Sequence, residues 1–306
     1  MIPVFNAAFY TRVCLTSLQA EQGEAEVIVV DNGSTDETPA LLEAWAHPGP
    51  GRRLLRFDQV LGFARACNAG AGATEREFVV FLNNDTFVLE GWLNNLLRPF
   101  DEADNVQVTG SRLLYPSGHI QHAGIAFNRE GPHHVFVGLA GDTPFVLQRR
   151  DFQTVTGAAL AIRRAEFERL GGFDTSYQNS FEDVDLCLKV KRDGGRIVYV
   201  PDSVAYHFES MTEGRLGPTD MRNYELFMER WGNVFEQDID ALHEEAVAAG
   251  LDLTERVPSR REVVDREERL AGTEAELKEL RRMRDLRSVR AALWARNTFR
   301  RVFPAS

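Results

Sequence analysis

The sequence lacks the long apolar segment that marks a membrane-spanning helix. No run approaches the roughly eighteen apolar residues that such a helix requires, and no signal-peptide pattern opens the chain. Cysteine is scarce: Cys14, Cys67 and Cys187 are scattered and have no CxxC spacing. That pattern predicts reduced, structural thiols. We therefore expect a cytoplasmic protein.

Basic residues are too few for a nucleic-acid-binding protein. The net charge of −11 argues against nucleic acid as the main partner. The charge is also uneven, because residues 255–306 carry 14 Lys and Arg against 9 Asp and Glu, a net of +5. The first 254 residues then carry −16. An acidic body with a basic tail predicts different roles for the two parts.

Two short apolar runs that stop at polar residues are the strongest signal in the chain. Residues 27–30 are followed by Asp31, and residues 78–82 are followed by Asn83-Asn84-Asp85. Such runs are typical of strands buried on both faces of a parallel sheet. Helical patterns alternate with them, which predicts an α/β fold with a mostly parallel sheet flanked by helices. Since ligands bind beyond the carboxyl ends of such strands, both acids should lie on the rim of a binding site.

The rest of the chain gives a coarser pattern. The 306 residues predict about two domains. Residues 123–145, rich in Gly, Pro and His, are predicted as a long functional loop. The histidines His119, His122, His133 and His134 are predicted as loop or surface residues. A short helical hairpin is expected at 262–284. The other predicted elements are strands at 2–5, 54–57, 106–114, 155–162, 197–201 and 204–207 and helices at about 10–19, 38–46, 63–73 and 182–192.

Each acidic segment has a structural alternative to ligand binding. The segment from Asp31 to Asp36 also fits a plain turn, and only poorly a calcium loop. Asp85 could bridge a hard cation to a diphosphate, or cap the following helix. Ser180 and Asp183 approximate a capping box, although that leaves the preceding Gly171-Gly172-Phe173-Asp174 unexplained.

Taken together, these segments resemble the inverting family 2 glycosyltransferases of the GT-A fold. They are most similar to the bacterial branch that builds O-antigen, rhamnan and related surface glycans. The resemblance runs from Ile2 to about Ser210, and the order of its motifs is more specific than any one of them. The matching stretches are Pro3-Val4-Phe5-Asn6, Val30 to Asp36, Gly62-Phe63-Ala64 with Asn68, Phe81 to Asp85, Ile120 to Gly124, Thr156-Gly157-Ala158, and Gly171 to Asp174 through Glu182 to Leu186.

The resemblance implies a role for each matching residue. Asp183 would be the catalytic base, with Glu182 beside it, and Asp85 and His207 would bind Mg²⁺ or Mn²⁺. The chain departs from the family's DxD motif at Asn83, so metal binding would rest on Asp85. The residues implied in binding the nucleotide-sugar are Pro3, Asn6, Asp31, Asn68, Asn84 and Gly157.

The resemblance also implies the reaction. We expect a metal-dependent inverting transfer from a UDP- or dTDP-sugar to a glycan or polyprenyl-linked acceptor. Residues 1–110 and 111–218 would form the donor and acceptor halves of one GT-A domain, and 219–306 a helical extension. A sugar-phosphate nucleotidyltransferase stays open, although residues 6–9 lack its Gly-rich basic loop. A catalytically inactive sugar- or membrane-binding module also stays open, and it would release no nucleotide.

The basic tail carries a prediction of its own. In residues 283–306, apolar residues at helical spacing alternate with arginines. This pattern is typical of an amphipathic helix in a membrane interface. Attachment would suit a lipid-linked acceptor and would make the protein peripheral on the inner face of the cell membrane. The alternative is that the apolar face packs on the catalytic domain or on a second subunit.

Overall fold

A computed structural model describes residues 1–21, 25–47, 51–208 and 218–254. The predicted hairpin at 262–284 and the amphipathic segment at 283–306 lie outside the described residues. Within the described ranges, no helix combines the length and apolar character needed to cross a membrane.

The described chain alternates strands with helices through its first hundred residues and is richer in strands after that. The strands are β1 (Ile2–Val4), β2 (Val27–Asn32), β3 (Arg52–Phe57), β4 (Phe78–Leu82), β5 (Thr86–Val88), β6 (Val106–Leu114), β7 (Ile120–His122), β8 (Ile125–Asn128), β9 (Gly131–His134), β10 (Arg150–Phe152), β11 (Ala159–Arg163) and β12 (Arg196–His207). The helices are α1 (Ala8–Ser17), α2 (Thr38–Ala46), α3 (Phe63–Ala71), α4 (Trp92–Leu97), α5 (Pro99–Glu102), α6 (Arg164–Arg169), α7 (Glu182–Arg192), α8 (Pro218–Trp231) and α9 (Ile239–Ala248).

The N-terminal strands form a parallel sheet in the order β1-β2-β3. All six residues of β2 are buried, which agrees with a strand covered on both faces. Backbone bonds extend this sheet to β4, because the Met1 amine donates to Val80 O and Leu82 N–H donates to Met1 O. This exchange is the parallel pattern. The carboxyl ends of β2 and β4 therefore face the same rim, as predicted.

The larger sheet has the order β10-β12-β6-β11-β4. Strand β12 is parallel to β6, whereas β11 runs antiparallel between β4 and β6. The predicted α/β class is confirmed, with the parallel character concentrated in β1 to β4 and in the β6–β12 pair. Strand β6 crosses the expected boundary at residue 110, so the two predicted halves share one sheet.

The sequence prediction was wrong in the middle of the chain. Residues 123–145 are not one long loop, because β8 and β9 form an antiparallel hairpin within them. The hairpin is short, and β9 consists of Gly, Pro and two His, so its composition hides it. It is fixed instead by packing, since Phe127 in β8 is fully buried against Phe235.

The two strands predicted near residue 200 are one strand, β12. A register shift between Val200 and Val204 interrupts its pairing with β6. Pro201 lies in the shifted segment and has no N–H to offer the ladder. The strand predicted to start at residue 155 begins at Ala159.

Helix α8 packs on the elements that carry the acidic segment at 182–185. Phe227 stacks on Phe181 with ring centroids 4.9 Å apart. The indole of Trp231 donates a hydrogen bond of 2.8 Å to the buried Asp185 Oδ1. The C-terminal helices thus support the N-terminus of α7.

Candidate active site

Asp31 lies at the rim, near the carboxyl end of β2, and one of its carboxylate oxygens can accept a hydrogen bond from a ligand. Asp31 is 1% exposed, and its Oδ1 accepts the Ser34 N–H at 3.0 Å. Among the described residues no donor bonds Oδ2, although Arg56 Nε lies 3.7 Å away. A buried carboxylate oxygen without a donor costs free energy, so this atom suits a ligand N–H. The turn and the ligand-binding interpretations of this loop are therefore compatible.

Three residues that were predicted to bind the nucleotide-sugar lie around the loop at residues 31–36. Asn6, with φ of 56°, accepts the Thr35 N–H on its Oδ1 at 2.8 Å. Asn84 donates from Nδ2 to Thr11 Oγ1 at 2.9 Å. Pro3 is half-buried within β1, opposite Val30. The two asparagines thus shape the rim by holding loops together, and the nucleotide-binding role of all three stays a prediction.

The end of β4 brings Asp85 against His207 at the end of β12. His207 Nε2 lies 3.0 Å from Asp85 Oδ1, and both side chains are buried. Asp85 lies between β4 and β5, not before a helix, so the capping alternative is wrong. On the other side of the ring, Nδ1 lies 2.6 Å from Gln121 Oε1.

The chemistry of this pair fits a divalent cation. Gln121 Oε1 can only accept, so the ring proton belongs on Nδ1 and Nε2 presents a lone pair. Two acceptors, His207 Nε2 and Asp85 Oδ1, then face each other across 3.0 Å. Such an arrangement is favourable only with a cation between them or a proton added. Carboxylate and imidazole are both ligands that Mn²⁺ accepts, while Mg²⁺ relies more on oxygen.

At the start of α7, the carboxylate of Asp183 accepts hydrogen bonds from two main-chain N–H groups. Asp183 Oδ2 accepts the Gly157 N–H at 2.6 Å, and Oδ1 accepts the Val184 N–H at 2.8 Å. The expected capping box is absent, because the N-cap residue is Phe181, in a left-handed conformation with no side-chain cap. Both carboxylate oxygens are oriented, and each keeps a lone pair for a further donor.

Glu182 occupies a different environment from Asp183. It is 5% exposed, whereas Asp183 is half-buried. Burial raises the pKa of the Cys67 thiol on α3 well above its usual value, and the nearby charges of Glu182 and Asp183 raise it further. Of the two acids, Asp183 is the one that a substrate can reach.

Two adjacent residues connect Asp183 with the Asp85 segment. Gly157 donates its N–H to Asp183, and Ala158 O accepts the Asn83 N–H at 2.9 Å. Asn83 Nδ2 in turn lies 3.3 Å from His207 Nε2. The Asp183 carboxylate on α7 and the Asp85–His207 pair therefore border one short backbone segment.

Gly157 has a function that the sequence prediction did not include. A Cβ at this position would lie 3.0 Å from Asp183 Cβ and 3.3 Å from its Oδ2.

We predict that Gly157→Ala shifts the carboxylate by a few tenths of an ångström and lowers sugar transfer about tenfold, because catalytic geometry is sensitive to displacements well below 1 Å. Steady-state kinetics and a melting curve would measure this, with Gly72→Ala as the control, because Gly72 has a helical φ of −70° and a Cβ there would meet its nearest atom at 3.4 Å. Unchanged transfer in a folded Gly157→Ala protein would contradict the prediction.

The side chain of Asn68 makes two hydrogen bonds to the main chain of the loop at Phe173. Its Oδ1 accepts the Phe173 N–H at 2.9 Å and its Nδ2 donates to Phe173 O at 2.8 Å. We predict that Asn68→Ala destabilises the protein by about 1–3 kcal/mol, since two polar backbone groups lose their partner. Chemical denaturation measures this loss, and titration with UDP separates it from direct nucleotide binding. A large loss of UDP affinity at unchanged stability would instead support the role implied by the resemblance.

Some residues at the site carried no sequence signal. Asn223 on α8 is buried, accepts the Gln178 N–H at 3.2 Å and donates to Ser180 Oγ at 2.7 Å. This contact spans more than forty residues, so no local pattern could indicate it. His122, predicted at the surface, is fully buried, and burial lowers its pKa well below the usual value.

Comparison with known proteins identifies the class. Residues 1–129 match the family Glycosyl transferase family 2. The chain is 36% identical over 222 residues to "O-antigen biosynthesis protein RfbC" of Myxococcus xanthus, which covers 69% of this chain and 17% of that protein. It is 27% identical over 220 residues to "N-acetylglucosaminyl-diphospho-decaprenol L-rhamnosyltransferase" of Mycobacterium tuberculosis, covering 64% of this chain and 70% of the relative.

The fold has solved relatives as well. The crystal structure of GalNAc-T7 with UDP, GalNAc and Mn²⁺ superposes with a TM-score of 0.63 over 93% of this chain and 53% of that one, at 18% identity. The described fold is thus the GT-A fold. The chain carries a glycosyl transferase family 2 domain at residues 1–129, as the resemblance predicted. It spans about one sixth of the RfbC protein's length.

Proposed function

We propose that this chain is a metal-dependent inverting glycosyltransferase. It would move a sugar from a UDP- or dTDP-sugar to a glycan or polyprenyl-linked acceptor, with Asp183 as the general base. The observation that carries the proposal is the 157–158 backbone segment, which bonds Asp183 on one side at 2.6 Å and Asn83 on the other at 2.9 Å. A base for the acceptor and a cation site for the leaving diphosphate would thereby border the same backbone segment.

The donor would be held at two places. Asp31 Oδ2, buried and without a donor among the described residues, would accept the imide N–H of uracil or thymine. Asp85 and His207 would hold Mg²⁺ or Mn²⁺ against the diphosphate. When bound, this ion supplies Lewis-acid stabilisation of the leaving group's negative charge, worth several kcal/mol.

Asp183 would act on the acceptor. Its carboxylate, oriented by Gly157 and Val184, accepts the proton of the acceptor hydroxyl as that oxygen bonds to the anomeric carbon. Such proton transfer is typically worth roughly 10²–10⁴ in rate. The bond to the diphosphate oxygen breaks on the opposite face of the sugar. A single in-line displacement inverts the anomeric centre.

The relatives support the acceptor class. One relative's name specifies a decaprenyl-diphosphate-linked acceptor and rhamnosyl transfer, and another's specifies O-antigen biosynthesis. A lipid-linked acceptor would place the enzyme at a membrane surface. Attachment through residues 283–306 and a location on the inner face of the cell membrane belong to this proposal.

The direct test is a donor screen. The purified chain is incubated with UDP-, dTDP-, GDP- and CMP-sugars, with Mn²⁺, Mg²⁺ or EDTA, and nucleotide release and thermal shift are recorded. We expect stabilisation and slow hydrolysis of one UDP- or dTDP-sugar, both lost in EDTA. NMR of the product with a glycan acceptor should show the inverted anomer. No nucleotide release from any donor would favour the inactive module, and sugar-nucleotide synthesis from a nucleoside triphosphate would favour the nucleotidyltransferase.

A further inference from the structure

Gln121 makes two contacts with His207. Its Oε1 lies 2.6 Å from His207 Nδ1, and its Nε2 donates to His207 O at 3.4 Å. Both side chains are buried, at 7% and 6% exposure. A single amide therefore contacts both the ring and the main chain of His207, which restricts the orientation of the ring.

An irregularity in the pairing of β7 with β6 places the Gln121 side chain at His207. In the antiparallel pairing of β7 with β6, His122 pairs with Leu113 and Ile120 pairs with Leu114. Gln121 is the extra residue between these pairs, so it occupies a β-bulge. Bulges next to active sites turn a side chain out of the regular alternation. The sequence alone showed only the stretch from Ile120 to Gly124.

The two amide neighbours of the ring favour one tautomer. Donation from Gln121 Nε2 to His207 O leaves Oε1 facing Nδ1, and an oxygen acceptor requires a proton on Nδ1. On the far side, Asn83 Nδ2 lies 3.3 Å from Nε2 and can donate to it. Both neighbours therefore favour a ring with its lone pair on Nε2, directed at Asp85 Oδ1.

We propose that Gln121 is the positioning residue of the divalent-cation site. It holds His207 as the Nδ1–H tautomer with Nε2 offered to the ion beside Asp85. Partners that orient a metal-ligating histidine in this way typically contribute about 10–100-fold to metal affinity. The inference rests on the metal dependence in the proposed function, and it adds the residue that prepares the ligand.

The test measures Mn²⁺ binding in the presence of UDP by electron paramagnetic resonance, with no sugar transfer involved. Gln121→Met keeps the side chain's length and removes its acceptor, so we expect Mn²⁺ affinity to fall about 10–100-fold. Gln121→Glu keeps an oxygen for Nδ1–H and should stay within a few-fold of wild type. Gln153→Met is the matched control, because Gln153 is another buried glutamine, bonded to Asp238 Oδ2 at 2.7 Å. It should lose stability but bind Mn²⁺ normally.

The outcomes separate the two proposals. Wild-type affinity in Gln121→Met, combined with lost affinity in His207→Ala, would overturn the role of Gln121 and leave the metal site standing. A wild-type protein that binds no Mn²⁺ would overturn both. If Gln121→Met does not fold, ¹⁵N NMR of the wild-type His207 ring decides, because the inference requires the proton on Nδ1. A proton found on Nε2 would overturn it.

Discussion

Replacement of Asp183 by Asn is expected to lower sugar transfer by roughly 10²–10⁴, the usual contribution of a general base. The amide has nearly the same shape but cannot accept the acceptor's proton. Donor binding should change little, because Asp31 and the Asp85–His207 pair are untouched. Transfer kinetics at saturating donor, together with UDP titration, measure the two effects separately.

The structure adds a stability cost to this variant. Both carboxylate oxygens of Asp183 accept main-chain N–H groups, and an amide can satisfy only one of them. We expect a loss of about 1–3 kcal/mol in unfolding free energy. Asp185→Asn is the matched control on the same turn, because it loses the ion pair with Lys189 but can keep its bond from Trp231, and it should therefore cost stability without lowering transfer. Near-wild-type transfer by a folded Asp183→Asn protein would remove Asp183 from the mechanism.

The fold was most predictable where a segment's own pattern decided its structure. Strand β4 and helix α7 begin and end at the predicted residues, because a continuous apolar run and an acid-to-base helical pattern define each locally. The β8–β9 hairpin was missed because its stability comes from distant partners. Phe127 is buried against Phe235, more than a hundred residues away in sequence.

The candidate site shows the same division. Asp31 and Asp85 were predicted at one rim because the strands that precede them are plain in the sequence. The distance between Asp85 and His207 could not be predicted, since it depends on how β12 is bent between Val200 and Val204. Gln121 and Gly157 act by contacting His207 and Asp183. Local sequence composition cannot indicate such contacts between residues that are distant in sequence.

The asparagines illustrate a further limit. Asn6, Asn68 and Asn84 were all assigned to donor binding by resemblance. In the structure their side chains bond loops and helices to each other. These bonds show that the three side chains hold the site's loops in place, and their contact with the nucleotide-sugar stays a prediction.

Asp85→Ala is expected to weaken Mn²⁺-dependent UDP binding at least about 100-fold. The chain has Asn83 and Asn84 where a second acid would stand, and His207 alone would remain as a ligand. Loss of a residue that only orients a ligand already costs about 10–100-fold, so loss of the carboxylate itself should cost no less. Isothermal titration with UDP, in Mn²⁺ and in EDTA, measures the affinity and its metal dependence.

A second measurement makes the Asp85 prediction specific. Without a cation, Asp85 Oδ1 and His207 Nε2 oppose each other at 3.0 Å, which is unfavourable between two acceptors. Asp85→Ala should therefore leave the metal-free melting temperature unchanged or raise it, as is common when a strained active site is relaxed. Asp151→Ala, which removes an exposed partner of Arg196, is the control and should affect neither the metal nor UDP. Unchanged Mn²⁺-dependent UDP affinity in Asp85→Ala would place the cation elsewhere or remove it from the reaction. A clear fall in the metal-free melting temperature would mean that the Asp85–His207 contact is a structural ion pair.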